Sequence, residues 1–95
     1  MLLIKQTKQF KKDYKKAQKQ KQDLDLLNGV MKTLIDELPL SSHYLDHPLK
    51  GNYKGARECH VKNDWLLIYQ INSIENLKEK SITFVRLGTH SELFE

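Results

Sequence analysis

The chain has 95 residues, a mass of 11.2 kDa and a formal net charge of +4. This length predicts one domain, residues 1–95, with a single small core, and a mixture of 39% hydrophobic and 29% charged residues argues against disorder or a fibrous repeat. One cysteine, Cys59, excludes an internal disulfide framework and a cysteine-based zinc site. The longest apolar run, residues 65–69, is too short for a membrane helix, and the N-terminus lacks a signal-peptide pattern. We therefore predict a cytoplasmic protein without membrane contact.

Positive charge is concentrated at the N-terminus. Residues 1–22 contain eight lysines and one acidic residue, Asp13, a net charge of +7, whereas residues 23–95 contain eight basic and eleven acidic residues, a net charge of −3. A concentrated basic segment is typical of proteins that bind RNA, DNA or an acidic protein. A solvated, lysine-rich helix face would show the same pattern, so the charge alone leaves both interpretations open.

The first half of the chain has a helical pattern after one short strand. The strand is predicted over residues 2–6, and a first helix begins after Thr7, which can cap it. A second helix is predicted over residues 23–38, with Asp23 as its N-cap and Pro39 as its stop. The apolar stripes of the two helices, at helical spacing, are Phe10, Tyr14 and Ala17, and Leu24, Leu27, Met31, Leu34 and Leu38.

The second half has the pattern of a sheet. A loop is predicted first, over residues 39–55, because both prolines and two glycines lie there. Strands follow over residues 56–62, 65–71 and 81–87, with a polar connection over 72–80 and a tail over 89–95. The strand 65–71 is apolar on both faces, which indicates a central position in the sheet. The predicted order is β-α-α-β-β-β, an α+β fold with two helices packed on one small antiparallel sheet.

Three of the four histidines lie beside loop or turn signals, where catalytic groups are often found. They are His47, His60 and His90, and Asp64 follows His60 by four residues across a predicted turn, close enough to orient its imidazole. Histidines that move protons, cations that hold phosphates and rings that stack bases together suit the cleavage of single-stranded RNA. The nearby cations and rings are Lys50, Lys54, Arg57, Lys62 and Arg86, and Tyr53, Trp65 and Phe94.

Each candidate also has a purely structural interpretation. Trp65 begins an apolar strand and could belong to the core, Phe94 could cover the sheet, and His60 could be a surface residue of its strand. A metal site formed by the three histidines and Asp64 would have ligand spacings of 13, 4 and 26 residues, which match no familiar ligand motif, so we predict no metal and no cofactor. Cys59 lies on the predicted strand face opposite His60 and is expected to be a small buried residue.

Two separated motifs resemble those of one known family. The first consists of HPLKGNYKG at residues 47–55, RECHVK at 57–62 and DWLLIY at 64–69. The second is RLGTHSELF at 86–94, which fits the pattern Arg-x-Gly-[Thr/Ser]-His-x-x-Leu-Phe. In this order and spacing, the chain resembles the YafQ branch of the RelE/ParE toxin superfamily over nearly its whole length.

The resemblance implies the toxin of a type II toxin–antitoxin pair, an mRNA interferase that cuts translated message in the ribosomal A site without a metal. It also implies a small sheet like that of microbial ribonucleases with two N-terminal helices. The implied functional positions are His47, His60, Asp64, His90 and Phe94, supported by Trp65 and Arg86.

The chemistry then requires the ribose 2′-OH to attack the adjacent phosphorus while one proton is removed and another is donated. His90 is predicted to be the general acid, and His60, held by Asp64, or else His47, to be the base. Phe94 is expected to position a base of the RNA. The phosphate and RNA contacts are assigned to Lys50, Lys54, Arg57, Trp65 and Arg86.

The resemblance also implies partners. The substrate is mRNA, presented by the ribosome, and a cognate antitoxin binds the toxin, which is monomeric when free and part of a hetero-oligomer when bound. The basic first helix would contact rRNA, the antitoxin or both, through Lys8, Lys11, Lys12, Lys15, Lys16 and Lys19. The alternatives are a toxin that inhibits a topoisomerase, which should lack the three histidines, a non-catalytic RNA- or DNA-binding module, and a metal-dependent hydrolase.

Overall fold

A five-stranded sheet carries two helices on one face in the computed structural model, which describes residues 2–74 and 78–94. The α+β class predicted from the sequence is confirmed. The elements in chain order are β1 (Leu3–Gln6), α1 (Lys8–Lys19), α2 (Leu24–Ile35), β2 (His47–Pro48), β3 (Arg57–Lys62), β4 (Trp65–Ser73), β5 (Lys80–Gly88) and α3 (His90–Phe94), with 3-10 turns at Ser42–Tyr44 and Gly51–Tyr53.

The strands lie in the order β1-β5-β4-β3-β2. The four strands from β2 to β5 pair antiparallel with their neighbours. The sequence predicted this pairing for β3, β4 and β5, but it predicted a loop over residues 39–55, where β2 lies. β1 differs, because it pairs in parallel with β5 and places Leu3 opposite Ser81. A parallel pair needs a long crossover between its strands, and the chain between β1 and β5 supplies it. The N-terminal strand therefore forms one edge of a mixed sheet.

Both helices begin at the predicted N-caps. The Thr7 hydroxyl accepts a hydrogen bond from the Phe10 N–H, and the Asp23 carboxylate accepts one from the Leu26 N–H. These caps satisfy backbone donors that the helix itself leaves unpaired, so the local sequence is sufficient to fix both starts.

The end of α2 differs from the prediction. The helix stops at Ile35 and not at Leu38, because Glu37 adopts a left-handed φ of 58° and the Leu38 N–H turns back to the Thr33 carbonyl. This is a Schellman motif, which usually uses glycine at the left-handed position. Leu38 is therefore 58% exposed and does not belong to the apolar stripe of α2.

The core lies on both faces of the sheet. The larger cluster lies between the sheet and the helices α1 and α2, and the smaller one lies on the opposite face. The alternating apolar residues of β4 enter both clusters, which confirms its predicted central position. The larger cluster contains Phe10, Leu27, Trp65, Leu67, Tyr69, Ile82 and Phe84, and the smaller one contains Ala56, Leu66, Ile68 and Leu93.

Two segments predicted as irregular are ordered elements. The tail after β5 forms α3, and its residue Leu93 is buried against the smaller cluster. β4 continues to Ser73 and β5 begins at Lys80, so the connection is shorter than the predicted one, and residues 75–77 within it lie outside the described residues. Within the described ranges, none of the helices has the length and apolarity to cross a membrane.

Candidate active site

The sheet face opposite α1 and α2 carries the three histidines selected from the sequence. His60 pairs with Leu66 across β3 and β4, and His47 pairs with Glu58 across β2 and β3. His90 begins α3, directly after β5. The ring centroids of His47 and His60 are 6.2 Å apart, and those of His60 and His90 are 5.6 Å apart. The structure therefore brings the three imidazoles together in one row with His60 at its centre.

Two hydrogen bonds hold the first imidazole of the row. Nδ1 of His47 lies 2.6 Å from the Leu45 carbonyl oxygen, and Nε2 lies 2.8 Å from Oε2 of Glu58. A carbonyl oxygen can only accept, so Nδ1 carries a proton and the ring orientation is fixed. The contact between Nε2 and Oε2 needs one further proton, which the His47–Glu58 pair shares.

Glu58 is a functional candidate that the sequence analysis did not select. Its side chain is only 5% exposed, and its Oε1 has no hydrogen-bond partner among the described residues. A buried carboxylate oxygen without a partner is costly, and such a group in a native protein calls for an explanation, for example a role in a reaction or a bound water or ion. Residues 58 and 60 of a strand share a face, which is a signal in the sequence, but only the fold shows that the Glu58 carboxylate is buried beside two imidazoles.

The sequence predicted that Asp64 orients His60, but in the structure Asp64 holds His90 instead. Oδ1 of Asp64 accepts hydrogen bonds from the ring Nδ1 of His90, at 2.7 Å, and from the His90 backbone N–H, at 2.9 Å. The β3–β4 pairing shifts register between His60 and Lys62, and the end of β5 brings His90 to the turn that holds Asp64. These two hydrogen bonds lower the pKa of Asp64. They also direct the free nitrogen of His90, Nε2, away from the carboxylate.

An open cleft of about 300 Å³ continues the row beyond His90. The ring of Phe94 lies 6.3 Å from that of His90 and 5.6 Å from that of Tyr53, which it meets edge to face. Phe94 is 45% exposed, so an additional ring could stack in the cleft. The cleft is lined by Lys50, Asn52, Tyr53, Leu93 and Phe94, so the structure places the predicted Lys50 and Phe94 together. Lys54 is exposed on the same loop.

Arg86 is held by an acidic residue of α1. Its Nε donates to Oδ2 of Asp13 at 2.9 Å, and its Nη2 donates to Oδ1 at 3.4 Å. Asp13, the one acidic residue of the basic N-terminal segment, is buried and also accepts from the Leu87 N–H at 3.0 Å. The Asp13 hydrogen bond raises the pKa of Arg86, and Tyr53 of the cleft also interacts with the guanidinium.

Two other residues predicted to contact RNA point away from the histidines. Arg57 donates to Asp46 at 3.1 Å, and the hydroxyl of Tyr69, on the helix side of the sheet, donates to the same carboxylate at 2.7 Å. Trp65 is only 4% exposed and belongs to the core beneath the helices. Strand alternation explains both outcomes, because odd-numbered residues of β3 and the first half of β4 face the helix layer. The structure thus contradicts the prediction that Arg57 and Trp65 line the RNA site.

The lysines predicted to contact a partner are exposed on α1. One of them, Lys16, forms an ion pair with Glu92 of α3, which links the first helix to the last. The six lysines are Lys8, Lys11, Lys12, Lys15, Lys16 and Lys19.

Comparison with known proteins shows which family this chain matches. Residues 2–95 match the profile of the family described as the bacterial toxin of type II toxin–antitoxin system, YafQ. The mRNA interferase toxin YafQ of Escherichia coli (strain K12) is 46% identical over 87 residues, which are 90% of this chain and 88% of that protein.

Solved structures agree with the fold. The crystal structure of the E. coli DinJ–YafQ toxin–antitoxin complex contains a chain with 43% identity and a TM-score of 0.85, with 99% of this chain and 98% of that chain covered. A metal-bound toxin from Helicobacter pylori has 51% identity and a TM-score of 0.87, with 99% and 100% covered. These matches confirm the fold that the sequence resemblance implied.

Proposed function

The chain belongs to the YafQ family of bacterial toxins of type II toxin–antitoxin systems, and from this premise we propose that it is an endoribonuclease that cleaves mRNA. The observation that carries the proposal is the row of three imidazoles, in which a carboxylate fixes each end. Glu58 holds His47, and Asp64 holds His90. Of the three imidazoles, the oriented His90 can donate a proton and the central His60 can accept one, and transesterification of RNA requires one group of each kind.

His90 is the proposed general acid. Because its Nδ1 is bonded to Asp64, Nε2 remains to donate a proton to the departing 5′-oxygen. The side chain is 53% exposed, so a phosphodiester can reach it. Asp64 keeps the imidazole in one tautomer and stabilises its charged form before the proton is donated.

His60 is the proposed base that takes the 2′-OH proton. It lies between the other two imidazoles and makes no hydrogen bond to another described residue, so its lone pair is not engaged. Glu58 lies beside it, with ligand atoms of both side chains within 4.8 Å, and its negative charge would stabilise the imidazolium that forms. This proton path uses no metal and no cofactor.

Binding of the RNA uses the groups beside the row. Lys50 and Lys54 would neutralise the backbone phosphates, and Phe94 with Tyr53 would hold a base in the cleft. Arg86 would reach the scissile phosphate from its position between Asp13 and Tyr53. Cleavage of naked RNA or of message on the ribosome would use the same groups.

We propose that the ribosome presents the message and that an antitoxin protein restrains the toxin, which is monomeric when free. Both partners place the toxin in the cytoplasm, where messages are translated. The exposed lysines of α1 suit rRNA or an acidic antitoxin segment. The double variant Lys11→Glu, Lys15→Glu separates these two partners. Loss of ribosome association with retained antitoxin binding identifies rRNA as the partner of this face, and the reverse identifies the antitoxin.

The ends of the cleaved RNA test the chemistry. Attack by the 2′-OH leaves a 2′,3′-cyclic phosphate and a 5′-OH, whereas metal-assisted hydrolysis by water typically leaves other ends. We expect cyclic phosphate ends, a decrease in cleavage rate of roughly 10²–10⁴-fold for His60→Ala, and an unchanged rate for His43→Ala, which replaces an exposed histidine outside the row. Ends with a 5′-phosphate would contradict the mechanism.

A further inference from the structure

The last helix carries two groups of the candidate active site on a single turn. α3 has only five residues, and the rings of His90 and Phe94, at its two ends, lie 6.3 Å apart. Helices shorter than about 12 residues are marginal in water, so a helix of this length needs contacts that hold it. The positions of the proposed proton donor and of the ring that lines the cleft therefore depend on whatever fixes α3.

Thr89 and Glu92 form a capping box at the start of α3. Oε1 of Glu92 accepts a hydrogen bond from the Thr89 backbone N–H at 2.9 Å, and the Thr89 hydroxyl accepts one from the Glu92 N–H at 3.2 Å. The segment THSE at residues 89–92 has the sequence signature of this motif. The two bonds enclose His90, whose own backbone N–H and ring bond to Asp64. The capping box thus fixes the backbone on both sides of the proposed general acid.

Close packing holds Glu92 against the end of β5. A Cβ atom at Gly88 would lie 3.1 Å from Oε1 and 3.3 Å from Cβ of Glu92, and 3.4 Å from Cδ2 of Leu93. Leu93 itself is buried, and its carbonyl accepts a hydrogen bond from the Tyr53 hydroxyl at 3.2 Å. The first turn of α3 therefore packs directly on the backbone that leads into it, and the carboxylate of Glu92 lies at this contact.

The second carboxylate oxygen of Glu92 bonds to Lys16 of α1. This bond, together with the Thr89 N–H, lowers the pKa of Glu92, so the carboxylate is ionised at neutral pH. An ion pair whose lysine side chain is 55% exposed contributes little stability by itself, typically less than the loss of a helix cap costs. The main effect of Lys16 is therefore to keep the carboxylate in the orientation that serves the cap.

We propose that Glu92 is a positioning residue for RNA cleavage, which acts through the capping box to hold His90 and Phe94 in their working positions. This inference rests on the proposed function. Glu92 transfers no proton and acts only through α3. When the box is broken, the Thr89 N–H loses its acceptor and the turn that carries both rings loosens. A displacement of about 1 Å at a reacting group can slow a reaction by up to about 10²-fold.

The cleavage assay compares Glu92→Ala and Glu92→Gln with the matched control Asp36→Ala. Glutamine keeps an oxygen that can accept from the Thr89 N–H, whereas alanine has none. Asp36 also pairs with a lysine, Lys32, and its side chain is 31% exposed, as is that of Glu92, but it follows α2 and not the active-site helix.

The rate is measured on ribosome-bound message at saturating toxin, so that cleavage and not binding is compared. We expect a decrease of about 10-fold for Glu92→Ala, of no more than about 3-fold for Glu92→Gln, and no change for Asp36→Ala. An unchanged rate for Glu92→Ala, or equal decreases for the two Glu92 variants, would overturn the proposal.

NMR separates positioning from a general loss of stability. The ring of Phe94 meets that of Tyr53 at 5.6 Å, and the ring of His90 meets that of His60 at 5.6 Å, so each pair should give nuclear Overhauser effects in the folded protein. We expect both to weaken in Glu92→Ala and to keep their wild-type intensity in Glu92→Gln and in the control. A lower urea midpoint for Glu92→Ala with both effects at wild-type intensity would indicate a merely structural role and would overturn the proposal.

The two assays also separate this inference from the proposed function. Absence of cleavage by the folded wild-type protein would refute the proposed function. The ring contacts in Glu92→Ala would then still decide whether Glu92 holds α3 in place.

Discussion

Replacing Asp13 by alanine should destabilise the protein strongly, although Asp13 lies in a helix that is otherwise covered with exposed lysines. Its carboxylate accepts two hydrogen bonds from Arg86 and one from the Leu87 N–H. It is only 8% exposed, so a buried carboxylate of α1 forms these contacts with β5. Removing the carboxylate leaves the guanidinium and a buried N–H without their acceptor.

The size of the effect follows from the burial of the two partners. Breaking a fully buried ion pair by removing one partner costs about 3–5 kcal/mol. The Arg86 side chain keeps 24% of its exposure and can recover some hydration, so we expect about 3 kcal/mol for Asp13→Ala. For a small domain with a total stability of roughly 5–15 kcal/mol, this is a large fraction.

Urea unfolding followed by circular dichroism measures this cost. The matched control is Asp36→Ala, which removes an acid from an exposed i,i+4 pair with Lys32 and should cost about 0.5 kcal/mol. If both variants lose the same free energy of unfolding, the Asp13 contact is no stronger than a surface ion pair and the reasoning is wrong.

Two further predictions concern groups with shifted pKa values. The hydrogen bonds from His90 lower the pKa of Asp64 below its ordinary 3.8, so the carboxylate's contribution to stability is complete above about pH 3.8 and is lost only as the pH falls through the lowered pKa. Asp64→Asn should slow cleavage by about 10-fold to 10²-fold, less than for a buried triad aspartate because Asp64 is 63% exposed, and an unchanged rate would contradict its role. Burial raises the pKa of the Cys59 thiol to about 12, so an alkylating reagent at mildly alkaline pH should modify it only in concentrated urea. Rapid modification of the native protein, measured by mass spectrometry, would contradict this prediction, because it would show that the thiol is accessible.

Local sequence signals were sufficient for the features that depend on neighbouring residues. Thr7 and Asp23 cap their helices as predicted, because a cap is a hydrogen bond within a few residues. Alternation in β3 correctly assigned Cys59 to the core, on the face opposite His60. His47 and His60 lie on neighbouring strands and His90 directly follows β5, so these histidines beside turn signals meet on one side of the sheet.

Features that depend on tertiary contacts could not be predicted from the sequence. The Schellman motif at Glu37 lacks the glycine that would have indicated the end of α2. Asp64 bonds to a residue 26 positions away and not to the nearer His60, because strand pairing and not sequence distance determines its neighbour. Likewise, the exposed Lys16 and the buried Asp13 look alike in a polar helix until the contact with β5 is known.

Primer extension on a reporter message tests the central claim most directly. Wild type and His90→Ala are added to translating ribosomes and to naked RNA, and circular dichroism shows that the variant is folded. Wild type should produce discrete cuts, and the variant should lose them by roughly 10²-fold or more while it still binds the message, because only the proton donor is missing. Cuts of equal intensity from His90→Ala, or none from folded wild type in either arm, would contradict the account.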